Sequence, residues 1–177
     1  MPNTSPSSTN PADHVDVGSS LAEIDDIMQK RLDDERQAAE RTARLDSERS
    51  KFAAEFAAAC DTDIRPSMEA VLARLRSDGG GGVVVEQPED AAHDHKHRLT
   101  LWMSLSGEIS GTPRQDRDPY LQLEAEKDKQ RVAVSAGDMW QGHGGNTSGP
   151  VGERELSEIT PAFVSQEAVA IIRRSVG

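Results

Sequence analysis

From residue 20 to residue 65 the chain holds neither glycine nor proline. A stretch that long, free of breakers and rich in alanine and charge, is a helix-forming segment, because glycine and proline are the two residues a helix interior tolerates least. At about 1.5 Å per residue it predicts a rod on the order of 60 Å. Ser20 is a good N-cap, and Glu23 three residues on completes a capping box. Apolar residues then fall at Leu21, Ile24, Met28 and Leu32, more weakly at Ala38, Ala39 and Leu45, and again at Phe52, Phe56 and Cys60. Steps of three and four put them on one stripe. The remaining surface is charged, with opposite-sign pairs four apart at Asp26/Lys30, Glu40/Arg44 and Arg44/Glu48. Each such pair supports a helix by about 0.2–0.5 kcal/mol.

The stripe is thin, fades between Leu32 and Leu45, and slips from a strict heptad. Isolated helices are marginal in water, so packing against another helix is the expected source of stability. The sequence therefore predicts a two-stranded coiled coil or helical hairpin, made in a homodimer or with a helical protein partner. Its interface would be Leu21, Ile24, Met28, Leu32, Leu45, Phe52 and Phe56.

After Cys60 the pattern is interrupted. Asp61, Thr62 and Asp63 are cap-like, and Pro66 disfavours helix in the residue before it. A second helix with a denser stripe follows at Met68, Val71, Leu72 and Leu75, closed by Asp78-Gly79-Gly80-Gly81-Gly82. That glycine run reads as a C-cap and loop. A phosphate cradle would need the Lys-Ser/Thr of a P-loop, and Val83-Val84-Val85 stands there instead.

From Val83 the period changes to two. Strands are expected over residues 83–86, 97–106, 119–126 and 130–136. Leu99, Leu101, Met103 and Leu105, then Leu121, Leu123 and Ala125, then Val132, Val134 and Ala136 share one face. One apolar and one polar face per strand implies an antiparallel sheet covered on one side. The cover is a final helix: Thr160 as N-cap, Pro161 at N1, Ile159 and Val164 as a hydrophobic staple, and Val164, Ala168, Ile171 and Ile172 as the buried stripe. The expected class is α+β, with a long N-terminal helix, then a helix, about four antiparallel strands and a C-terminal helix. The expected division is a disordered tail over 1–19, the long helix over 20–62 and the small domain over 63–177.

Composition narrows the function classes. Apolar residues are 35 % of the chain and aromatics 3 %, too few for one core through all 177 residues. A net charge of −11 opposes general nucleic-acid binding and docking on anionic membranes. No apolar run approaches a membrane span and no signal segment is visible, so a cytoplasmic location is the default. Asn3-Thr4-Ser5 and Asn146-Thr147-Ser148 match the glycosylation pattern only by chance under that assignment. The single cysteine, Cys60, excludes an internal disulfide.

Few residues suggest chemistry. In His93-Asp94-His95-Lys96-His97 the histidines two apart would point the same way in an extended segment. Lys96 adds an adverse charge and no fourth ligand is fixed by spacing, so the segment reads as a polar loop and no metal or cofactor is expected. Residues 142–149 read as a glycine-rich linker. Cys60 lies on the apolar stripe and reads as a buried thiol. Glu124 and Glu126 lack an apolar pocket to raise a pKa, so they are not acid/base candidates. Trp102, Tyr120 and Trp140 fall off the expected core face and form a candidate surface binding patch. Two functions follow. The first is a non-enzymatic adaptor or scaffold that oligomerises through its long helix. The alternative is a small-molecule-binding or catalytic domain with its ligand near Trp102, Tyr120 or Trp140.

Overall fold

A computed structural model of the chain describes residues 17–90, 92–93, 95–115, 118–139 and 146–176. Helix α1 spans Val17–Ala59 and passes through a π-helical turn, Cys60–Ile64, into α2, Arg65–Ser77. Strands β1 (Gly81–Gln87), β2 (Arg98–Ser104), β3 (Tyr120–Glu126), β4 (Arg131–Met139) and β5 (Asn146–Arg154) follow, and α3 (Pro161–Val176) closes the chain. The fold is α+β, with one strand more than expected. Contacts divide it into Met1–Leu45 and Asp46–Gly177.

In the first unit α1 includes residues 17–19, which the sequence assigned to a tail. Its surface carries pairs four residues apart: Arg31 Nε to Glu35 Oε1 at 2.8 Å and Arg36 Nε to Glu40 Oε1 at 2.9 Å. Both are exposed, so each contributes tenths of a kcal/mol.

The second unit begins at Asp46, upstream of the expected boundary at residue 63. The reason is the lower part of the α1 stripe. Phe52, Phe56, Cys60, Ile64, Met68 and Leu72 form one buried series through α1, the π turn and α2. The π turn keeps them on one line: the Arg65 N–H bonds to the Cys60 carbonyl, five residues back. This wide turn immediately precedes Pro66 at the start of α2.

The five strands pair antiparallel in sequence order. Their apolar residues meet in registered rows, such as Val84–Leu101–Leu121–Ala136 and Leu99–Leu123–Val134. Against this face lie the buried series above and Val164, Ala168 and Ile171 of α3. The expected cap of α3 is present: the Phe163 N–H donates to Thr160 Oγ1 at 3.2 Å, and Ile159 is buried.

β5 is the strand that composition conceals. It contains Gly149, Pro150 and Gly152, all poor strand formers. It sits at the sheet edge, where proline is tolerated. A bulge opposite Val134/Ser135 leaves Val151 outside the register, and Gly152 at φ 150 supplies a backbone that other residues rarely adopt. At the other edge, the Gly82 N–H donates to Glu108 Oε2 at 3.3 Å. The Gly82 carbonyl accepts from Arg76 Nη2 at 2.9 Å. Arg76 and Glu108 pair at 2.7 Å, and Arg76 followed by the Gly82 N–H holds the Glu108 carboxyl below its ordinary pKa. The pair occupies the start of an otherwise open ladder.

Phe56 is fully buried where α1 meets the sheet. Phe56→Ala is expected to lower unfolding stability by about 3–5 kcal/mol in urea titration, whereas Leu32→Ala changes the same transition by under about 0.5 kcal/mol.

Candidate functional site

The stripe of α1 has two fates. Phe52 and Phe56, expected at a partner interface, are core residues of the α+β unit, which removes them from that interface. Leu21, Ile24, Met28, Leu32 and Leu45 are between 47 % and 57 % exposed. Ile27, which the line drawn from Ile24 to Met28 passes over, is 60 % exposed beside them. Six large apolar side chains thus share a segment whose other positions are mainly charged. Scattered apolar residues on a surface are ordinary, but a row of them along one helix is the form that helix–helix recognition takes.

Of the candidate aromatic patch, Tyr120 is buried rather than on the surface. Tyr120 is 2 % exposed and Trp102 is half-buried, with ring centroids 5.1 Å apart. They are cross-strand neighbours on the outer face, and Tyr120 pairs in turn with Gly137. A Cβ at Gly137 would stand 2.3 Å from Tyr120 Cε1, so the ring lies over the glycine backbone. Aromatic cover of a strand glycine is a packing device. Trp140 lies outside the described residues.

The histidines also separate. His93 Nδ1 is 2.6 Å from Asp90 Oδ2, and this bond, first among its causes, lowers the Asp90 pKa. His97 Nε2 is 2.7 Å from Glu86 Oε1, while its ring meets Phe56 edge-on at 5.1 Å. His93 and His95 rings are 5.8 Å apart, and Asp94 lies outside the described residues. Among the described residues no three of His, Cys, Asp and Glu converge on a metal-sized site. Glu124 and Glu126 are engaged by Arg98 at 2.5 Å and Lys96 at 2.6 Å.

Cys60 lies near Glu86 and Arg65, which pair with each other. Burial, then the charge of Glu86, pushes its thiol up to about 12 against the opposing pull of Arg65. At neutral pH it is a protonated thiol, the opposite of an activated nucleophile.

Two grooves among the described residues bear on chemistry. One of about 470 Å³ is lined by Met103, Leu105, Glu108, Asp118, Ser175 and Val176, and Glu108 is already committed to Arg76 and Gly82. The other, about 420 Å³, is lined by Arg49, Lys96 and Lys127, by Glu89, Asp90, Glu126 and Asp128, and by His95. Its bases pair as Arg49–Asp128 at 2.8 Å, Lys96–Glu126 at 2.6 Å and Lys127–Glu89, while Asp90 bonds His93. No buried side-chain nitrogen or oxygen among the described residues lacks a hydrogen-bond partner. No described helix is long and apolar enough to cross a membrane. No family model, curated protein or solved structure matches the chain.

Two measurements check these placements. Gly137→Ala is expected to cost about 1–3 kcal/mol from overpacking, and to cost much less in a Tyr120→Ala background, since the ring is what the new methyl meets. For Cys60, the folded pKa is raised above the thiol's ordinary value of 9.0. The unfolded chain therefore releases this proton first, and stability falls as pH rises from 9.0 toward about 12. Cys60→Ala should flatten that alkaline decline, and the native thiol should resist alkylation at neutral pH until the chain is unfolded.

Proposed function

We propose that this chain is a non-enzymatic assembly protein that associates with a second copy of itself through α1 and presents the α+β unit of each copy. The observation that carries the reading is the exposed row Leu21, Ile24, Ile27, Met28, Leu32 and Leu45, on the same helix whose lower stripe is fully used in the core. Burying such side chains is worth about 1.5–3 kcal/mol each at the limit. Among the described residues no competing site supports an activity as well. The thiol is protonated, His93 and His97 bond to different carboxylates, and Arg49, Lys96 and Lys127 of the second groove are each paired with an acid. The acidic balance of −11 favours a soluble assembly over nucleic-acid binding. A cytoplasmic location fits the same reading.

Sedimentation velocity on the full chain at tens of micromolar is expected to give twice the 19.2 kDa chain mass. Ile24→Asp/Met28→Asp should return the mass to one chain while the melting transition of the α+β unit is kept. A wild-type chain that sediments as a monomer overturns the reading, including the case in which it captures some other helical protein.

A further inference from the structure

We infer that the two copies of α1 lie antiparallel, with Leu21 of each against Leu45 of the other; this rests on the self-association proposed above and adds its direction and register.

With Leu21 at heptad position a, the seam of residues 21–45 reads Leu21, Ile24, Met28, Arg31, Glu35, Ala38, Thr42 and Leu45. Apolar residues hold both ends, and two opposite charges hold the middle. Arg31 and Glu35 bond each other along the helix at 2.8 Å and are both exposed. The middle of the seam is what sets direction. In a parallel pair, position a faces a and d faces d. Glu35 would then face Glu35 of the second copy and Arg31 would face Arg31, two like-charge contacts in a seam that excludes water. Repulsion of this kind rejects an alignment more firmly than a missing contact does.

Antiparallel helices bring position a opposite d. Arg31 then faces Glu35 of the second copy, and the two-fold axis repeats the pair. The same alignment sets Leu21 against Leu45, Ile24 against Thr42 and Met28 against Ala38. The flexible Met28 side chain fills the space that Ala38 leaves. Leu32 follows Arg31 on the flank, where it meets Leu32 of the second copy beside the charged pairs and shields them from water. At the acidic end Asp25 comes level with Arg41 but Asp26 with Glu40, and Asp34 of each copy lies near the other on the flank opposite Leu32, so the attraction rests on the two Arg31–Glu35 pairs. The contact is self-complementary and closes at two copies.

Cysteine cross-linking reads the direction. Three full-length variants are needed: Leu21→Cys, Leu45→Cys and the double variant, each with native Cys60 retained. Cys60 is buried with its pKa raised to about 12, and the wild-type chain serves as its control. Under mild oxidation only the double variant is expected to give a covalent dimer on a non-reducing gel. A covalent dimer from either single variant means a parallel pair and overturns the inference. So does the absence of any from the double variant. Sedimentation of the same samples separates the two levels: a non-covalent dimer with the wrong cross-links leaves self-association standing, whereas a monomer removes both.

Discussion

The fold of the α+β unit depends on one contact surface. The inner face of the antiparallel sheet is covered by a buried series that runs through the end of α1, the π turn and α2, and by α3 beside it. Each partner would be untenable alone. The sheet presents rows of leucine and valine that need a dry cover, and the helix presents Phe52 and Phe56 that need somewhere to go. The π turn is the local adjustment that makes this possible. It inserts its wide turn ahead of Pro66 and leaves Cys60, Ile64 and Met68 all buried.

From that surface the remaining features follow. The outer face of the sheet faces away from the helical cover, so it carries the Arg98–Glu124 and Lys96–Glu126 pairs and the Trp102–Tyr120 contact. The core uses Phe52 and Phe56 but reaches no further up the stripe, which leaves Leu45 and the residues before it exposed. The candidate interface is thus the part of a continuous stripe that the chain's own core does not consume.

Much of the fold was legible from pattern. The valine run of the first strand, the alternation of the next three, the capped C-terminal helix and the long first helix all rest on short-range pattern. β5 was not legible, because Gly149, Pro150 and Gly152 carry no strand signal and the segment is held only by pairing with β4. The burial of Tyr120 was not legible for a related reason. Alternation sets it on the outer face, but its burial comes from neighbours on β2 and β4, Trp102 and Gly137. Ile27 was overlooked because a three-four rule chooses one line, whereas an exposed stripe has width.

The sequence by itself determined which residues share a face. That property depends on helix and strand periods, which are local and survive any choice of partner. Only the tertiary structure decided what each face meets. Leu45 and Phe52, seven residues apart on one helical line, are indistinguishable by spacing. One is exposed and the other buried, because the sheet can cover only the part of the helix that its own strands reach.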